Sequence, residues 1–361
     1  MPDSTHLPAA DDPDTPPGAA ARRTVVTGIK ATGTPHLGNL AGAIRPALDL
    51  AAAGADDCLY FIADYHALTG EADAAGIRAA TRAVAAAWLA CGLEPERSAL
   101  FRQSAVPEVM ELNWILACAC PKGFMNRAHA YKAAVAANAA GKGKGQGRDP
   151  DAGVSMGLFS YPVLMAADIL AYGADAVPVG RDQLQHLEYA RDLAERFNRR
   201  HGPVFRVPQA LVRADMEVLP GLDGEKMSKS RGNTIPLFAE PDAIRDLVAR
   251  IRTDARVPGE PKDPETSAVF RLYAAFASPR QAETMRLRFH GGISWADAKE
   301  ELAALLVRVL EEPRRRHREL SGDAALLDRV LEAGAARARE RAAPVLEAAR
   351  TAVGLDRRLA G

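Results

Sequence analysis

The chain has 361 residues, enough for two domains of ordinary size, and its 48% hydrophobic and 25% charged shares are those of a soluble globular protein. Lysine plus arginine total 46 and aspartate plus glutamate total 46, which excludes a uniformly cationic nucleic-acid binder and leaves only local basic faces. There is no apolar run of the roughly 18 residues a membrane helix needs and no signal-peptide pattern, so no membrane association and a cytoplasmic location are expected; Cys58, Cys91, Cys118 and Cys120 lack metal-ligand spacing, so neither structural zinc nor an iron-sulfur cluster is expected.

Residues 1–22 carry proline, acidic and alanine residues without apolar periodicity and read as a disordered leader. The β-branched run Thr24-Val25-Val26-Thr27 then ends at Gly28, and a Gly/Thr/Pro loop leads into a helical stretch after Pro35. A second apolar run, Cys58 to Ile62, ends at Asp64-Tyr65-His66 and precedes a long alanine-rich helix from Ala74 to Cys91. A third, Ala99-Leu100-Phe101, meets Arg102-Gln103-Ser104 and a helix around Glu111 to Ala119, and a fourth, Ala176 to Val179, precedes a helix from Asp182 to Phe197. Strands alternating with helices predict a parallel sheet covered on both faces. Residues 141–148, with glycine at every second position, read as a mobile surface loop. After Leu237 strand signals stop and amphipathic helices continue to the end.

Two segments carry chemistry. The first is the loop Lys30-Ala31-Thr32-Gly33-Thr34-Pro35-His36-Leu37-Gly38-Asn39, placed after a strand where helix N–H groups face ligands in open parallel sheets. His36 and Asn39 are three apart and so share a face of the first helical turn, while Gly38 leaves room for a nucleobase or ribose. Taken alone, such a turn also fits an ordinary strand-helix loop. The second segment is Lys226-Met227-Ser228-Lys229-Ser230, bounded by Gly224 and Gly232, whose two lysines form a flexible clamp suited to the charge on a leaving pyrophosphate.

Together the two segments resemble the paired signatures of class I aminoacyl-tRNA synthetases, His36-Leu37-Gly38-Asn39 for the first and Lys226 to Ser230, letter for letter, for the second. Asn39 stands where many members carry a second histidine, as in the tryptophan and tyrosine branch, and Ala31 stands where proline is expected. Gly157 to Leu170 and Val177 to His186 further resemble the amino-acid pocket of tryptophanyl-tRNA synthetases. Tyr161, Met165 and Asp168 fall at i, i+4 and i+7 and so project from one helix face. An indole N–H only donates and a carboxylate only accepts, so Asp168 is suited to select tryptophan, with Met165 packing on its ring.

The resemblance implies an ATP-dependent tryptophan–tRNA ligase that forms tryptophanyl-AMP with Mg²⁺ and passes the amino acid to the 3′ end of tRNA(Trp), as a homodimer. It implies Lys226, Lys229, His36 and Asn39 as catalytic groups. Lys30, Thr32, Gly33, Gly38, Met227, Ser228, Ser230 and Lys132 would join them around ATP. Val26, Gly28, His66, Tyr161, Met165, Asp168, Val177, Val179 and Gln183 would surround tryptophan. The division that follows is a Rossmann-like catalytic domain over 23–203, a linker with the lysine loop over 204–237, and an all-α domain over 238–361 for the anticodon. Arg314-Arg315-Arg316-His317-Arg318 and Arg337, Arg339 and Arg341 are the basic material for tRNA phosphates. A tyrosine-specific synthetase, a small-molecule adenylyltransferase and a non-translational paralogue that binds tryptophan remain rival readings.

Overall fold

The computed structural model describes residues 22–54, 56–70, 73–140, 149–180, 184–212 and 218–356. Five strands, β1 (Arg23–Lys30), β2 (Asp56–Ala63), β3 (Ala99–Arg102), β4 (Ala176–Val179) and β5 (Gln209–Val212), form one parallel sheet in the order β3-β2-β1-β4-β5. The α/β architecture with a helical C-terminal region agrees with the sequence expectation; β5 is an addition that the sequence reading did not include. The leader and the 141–148 segment lie outside the described residues.

Strand residues alternate between two apolar layers, as the two-residue period requires. Val25, Tyr60, Ile62 and Leu100 pack toward the helix Ala74–Ala90, where Tyr60 stacks on Trp88 with ring centroids 4.8 Å apart. Val26, Leu59, Phe61 and Phe101 pack toward the helices Glu108–Ala119, Met156–Leu170 and Leu184–His201. Helix starts are set by side chains that satisfy otherwise unpaired N–H groups: Asp73 accepts from Gly76 N–H at 2.7 Å, and Ser155 from Leu158 N–H at 3.1 Å.

Strand order reverses between β1 and β4, the point where an open parallel sheet offers a crevice. β1 pairs with β2 from Arg23↔Asp56 through Lys30↔Ala63, whereas its register with β4 consists of Val25↔Ala176. Beyond that pair the two strands present their last residues to a common space.

The first apolar layer continues without a break from Val25 and Trp88 through Leu237, Ile244, Phe270 and Leu302 to Leu331. The helical region after residue 238 thus shares a core with one face of the sheet. Its last helix, Ala324–Val353, runs back over the edge strand, burying Leu331, Ala335, Ala338, Ala342, Leu346 and Ala349 at the three- and four-residue spacing of one helical face. Gly334 makes the approach feasible, because a Cβ there would lie 2.0 Å from the Leu100 carbonyl oxygen. We predict that Gly334→Ala lowers stability by at least about 1–3 kcal/mol, the usual cost of overpacking, read as a lower urea midpoint; an unchanged midpoint would contradict this packing.

Candidate active site

A cavity of about 750 Å³ opens at the C-terminal ends of β1 and β4. Val26, Gly28 and Lys30 reach it from β1, Thr32, His36, Gly38 and Asn39 from the loop that follows, and Val177 and Val179 from β4. Met165 closes one side, and Lys226, Met227, Ser228, Lys229 and Ser230 close another. Three lysines and no carboxylate stand among the described lining residues, so the electrostatics favour an anion at one end, while valines and methionine make the other end apolar.

The first loop is held by several short contacts. Leu37 N–H donates to Ile235 O at 3.0 Å and Leu237 N–H to Pro35 O at 2.9 Å, a two-way bridge to the segment that leaves the lysine loop. The Asn39 side-chain oxygen accepts from His36 N–H at 3.0 Å, so this oxygen shapes the turn instead of facing a phosphate. Gly38 lines the cavity, and its missing side chain also leaves room for the His36 ring, whose Nδ1 would lie 2.9 Å from a Cβ at that position. That Nδ1 is buried without a hydrogen-bond partner. Burial first, and the nearby Lys229 charge second, lower the His36 pKa to about 4, which makes it a neutral ring at physiological pH. Gly28 is required for a different reason: a Cβ there would sit 2.5 Å from the Phe61 ring.

Lys229 reaches across to donate to the Thr32 carbonyl, and its side chain lies over Gly33, whose φ of +47° favours glycine. Burial lowers the pKa of Lys229 and of Lys30, whose ammonium donates to Thr69 Oγ1 at 3.0 Å. Within the lysine loop, Met227 is buried and its N–H donates to Leu219 O at 2.8 Å, while the Ser228 and Ser230 hydroxyls lie 2.9 Å apart.

Asp168 is 0% exposed and does not line the cavity. Its Oδ2 meets His66 Nε2 at 2.8 Å, and the Gln103 amide donates to both carboxylate oxygens at 2.7 and 2.9 Å. Gln103 is itself oriented by accepting from Tyr65 N–H at 3.0 Å, which assigns its NH₂ to the carboxylate. Burial raises the Asp168 pKa, and the bonds from His66 and Gln103 oppose that shift. Tyr161 turns its hydroxyl to His186 Nε2 at 3.3 Å, and His186, not Tyr161, lines the cavity. His66 thus stands between the aspartate and Tyr161, whose ring centroid is 6.2 Å from its own, and neither His66 nor Tyr161 lines the cavity.

Some expected residues are not brought in. Lys132 is exposed on the helix His129–Ala140 and lies outside the lining, and Gly33 touches the site only through Lys229. Gln183 lies outside the described residues. The arginine run is engaged internally: Arg314 donates to Ala239 O, Arg315 and Arg316 pair with Glu312, and Arg318 with Glu240. Arg337 and Arg341 face Asp57, and Arg339 donates to Ala105 O. Sequence reasoning overlooked Gln103, although its place directly after a strand end in a parallel sheet was a usable signal.

The His36 shift has a sign that can be tested. A histidine whose folded pKa is about 4 against an ordinary 6.5 binds its proton more readily when unfolded, so its stabilising share is present above pH 6.5 and lost as pH falls toward 4. We predict that His36→Asn, which cannot titrate, flattens the loss of stability across that window in urea titrations; parallel curves for parent and variant would refute the assignment.

Residues 19–311 match the family described as tRNA synthetases class I (W and Y). The chain is 50% identical over 335 residues to the tryptophan–tRNA ligase of Neisseria meningitidis serogroup A, covering 93% of this chain and 98% of that one. It is 52% identical over 333 residues to the tryptophan–tRNA ligase of Bordetella parapertussis, covering 92% and 73%. Among solved structures, the tryptophanyl-tRNA synthetase of Campylobacter jejuni complexed with ADP and tryptophan superposes with a TM-score of 0.78 at 37% identity, covering 92% of this chain and 100% of that one. The corresponding enzyme of Mycoplasma pneumoniae gives 0.78 at 27% identity, covering 92% and 98%. With both signature loops on one cavity at the switch point of a parallel sheet, the chain belongs to the class I tRNA synthetases of the tryptophan and tyrosine branch.

Proposed function

We propose that this protein is a tryptophan–tRNA ligase, which activates tryptophan with ATP to tryptophanyl-AMP and transfers it to the 3′ end of tRNA(Trp). The observation that carries this reading is the division of one cavity into an apolar end, formed by Val26, Met165, Val177 and Val179, and a lysine-bearing end, formed by Lys30, Lys226 and Lys229. Relatives at about half identity bear the same activity in their names, and the Campylobacter jejuni enzyme holds ADP and tryptophan together.

In this reading the tryptophan carboxylate, already ionised at neutral pH, attacks the α-phosphorus in line and pyrophosphate leaves toward the lysine loop. Catalysis is then positioning plus charge stabilisation. Mg²⁺ would arrive with ATP, bound to phosphate oxygens and water, and would add to the charge that offsets the leaving pyrophosphate. The site is assigned to phosphate by Lys30, Thr32, His36 and the loop from Lys226 to Ser230. The indole slot lies against Met165, with Gly28, Val177 and Val179 beside it, and Asp168 supplies the acceptor.

Asp168 lies behind the cavity wall, held by Gln103 at both oxygens and by His66 at Oδ2, so an indole N–H would reach its carboxylate only with a rearrangement that displaces or shares the His66 contact. Assembly as a homodimer, tRNA binding through the helical region over 238–361 and a cytoplasmic location complete the proposal. No described helix is long and apolar enough to cross a membrane.

Exchange of labelled pyrophosphate into ATP, run with tryptophan, tyrosine and phenylalanine side by side, tests the reading. Tryptophan alone is expected to support exchange, and exchange with tyrosine alone would move the protein to the other half of its branch. Lys229→Ala is expected to slow adenylate formation about a hundredfold with tryptophan affinity retained, since a single group aimed at transition-state charge is worth about 2.7–4 kcal/mol. A parental rate in that variant would remove the lysine from the mechanism. Gln103→Leu leaves the Asp168 carboxylate short of donors, and we expect the KM for tryptophan to rise about tenfold or more while the KM for ATP stays put. Equal rises in both would point to general damage instead.

A further inference from the structure

The lysine loop is folded around a side chain that lines no part of the cavity. Asn233 is 3% exposed and uses its amide at both ends. Its Oδ1 accepts from Ser228 N–H at 2.8 Å, and its Nδ2 donates to Asp223 Oδ1 at 2.7 Å and to the Lys226 carbonyl at 3.1 Å. Its backbone carbonyl accepts from Leu222 N–H at 2.9 Å. Gly221 completes the nest, because a Cβ there would lie 2.4 Å from Asn233 Cγ and Nδ2. The bond from Asn233 is also the main reason the Asp223 carboxyl lies below the ordinary aspartate range.

These bonds bracket the residue between the two lysine turns. The Lys226 carbonyl and the Ser228 N–H, both tied to Asn233, flank Met227, whose Cβ stands 3.7 Å from where a Gly38 Cβ would be. Met227 registers the loop on the first signature segment, and Asn233 registers the loop on itself. An acceptor-only side chain at 233 keeps the Ser228 contact but turns a carboxylate toward two acceptors, the Asp223 carboxylate and the Lys226 carbonyl.

We propose that Asn233, paired with Asp223, is a positioning residue for adenylate formation: it fixes the loop shape that carries Lys226 and Lys229 over the phosphate end of the cavity. This rests on the reading above that those lysines act on the leaving pyrophosphate, and it adds the element that holds them there. Neither Asn233 nor Asp223 touches a reacting atom.

Asn233→Asp, Asp223→Asn and the variant combining both are compared by pyrophosphate exchange and by equilibrium dialysis of labelled tryptophan. Asn233→Asp is expected to lower kcat about tenfold or more, with the KM and dialysis affinity for tryptophan unchanged, because a hydrogen bond to a charged group is lost and two carboxylates are left facing each other. The loss should shrink as pH falls, since protonating one of the facing carboxyls restores a donor. In the combined variant a donor again faces an acceptor across positions 223 and 233 with the roles exchanged, while the contact to the Lys226 carbonyl stays unrepaired, so part of the lost rate should return, as a coupled pair requires.

A parental rate for Asn233→Asp overturns the proposal, as does a combined variant no faster than the slower single one. Should Asn233→Asp lose tryptophan binding and so fail to fold, Asp223→Ala at the exposed partner decides: a drop of several fold in kcat supports the pairing, and an unchanged kcat refutes it. Lys229→Ala run alongside separates the two readings. If it is slow while Asn233→Asp is parental, only the positioning role fails; if it is parental, the lysine assignment fails and this proposal with it.

Discussion

Two backbone hydrogen bonds, from Leu37 N–H to the Ile235 carbonyl and from Leu237 N–H to the Pro35 carbonyl, join segments that the sequence holds far apart, and the site depends on that junction. Each segment by itself is a loop with the usual freedom of loops. Once bridged, the first loop presents His36 and Thr32 to the same space as the second presents Lys226 and Lys229. The region beyond continues this anchorage: the Arg314 guanidinium donates to the Ala239 carbonyl, Arg318 pairs with Glu240, and the His317 ring stacks on Phe238 at 3.8 Å. The exit of the lysine loop is therefore gripped by a helix, Glu311–Ser321, that lies in the basic region first assigned to tRNA. Arg314 thus ties this helix to the exit of the lysine loop, while Arg315, Arg316 and Arg318 stay half-exposed in surface ion pairs that contribute little to stability.

The sheet supplies the second constraint. A parallel ladder that ran the full length of β1 and β4 would close the crevice; stopping at Val25↔Ala176 leaves Val26 to Lys30 and Val177 to Val179 as its two walls. The β2 side is fully paired and carries packing, with the Phe61 ring filling the place where Gly28 has no side chain. At the ends of β2 and β3, Asp64 accepts from Ser104 N–H at 2.9 Å and from Tyr65 N–H at 3.1 Å, and Gln103 spans from Tyr65 to Asp168. The buried Asp168 carboxylate is thus held by two side chains, His66 and Gln103, which fix its orientation.

Much of this was legible locally. Strands β1 to β4, the glycine-bounded lysine pair and the helix bearing Tyr161, Met165 and Asp168 all announce themselves within short windows, because period, capping and turn chemistry are local properties. What the sequence hid was pairing across distance. Nothing near Asp168 reveals that Gln103 and His66 will occupy its oxygens, and a paired arginine reads the same as a solvated one, as Arg315 and Arg341 show. The short edge strand Gln209-Ala210-Leu211-Val212 lacks an alternating pattern of its own and is recruited by β4. The alanine face of the last helix looked like generic helix until Gly334 met the backbone of Leu100. At Gly38 a second constraint was hidden: the glycine lines the cavity and also makes room for the His36 ring.

The charge balance of the cavity shows why the resting arrangement suits a reaction that must first bind a polyanion and then release one. Lys229 spends its ammonium on the Thr32 carbonyl, a partner it can leave at modest cost because a phosphate oxygen is a stronger acceptor for the same proton. His36, kept neutral by burial and by Lys229, can donate without adding a permanent charge that would hold ground state and product alike. In the function proposed above, stabilisation of the leaving group's charge falls to lysines carried on a loop. The loop needs a defined shape, and the polar nest around Asn233 together with the buried Met227 gives it one.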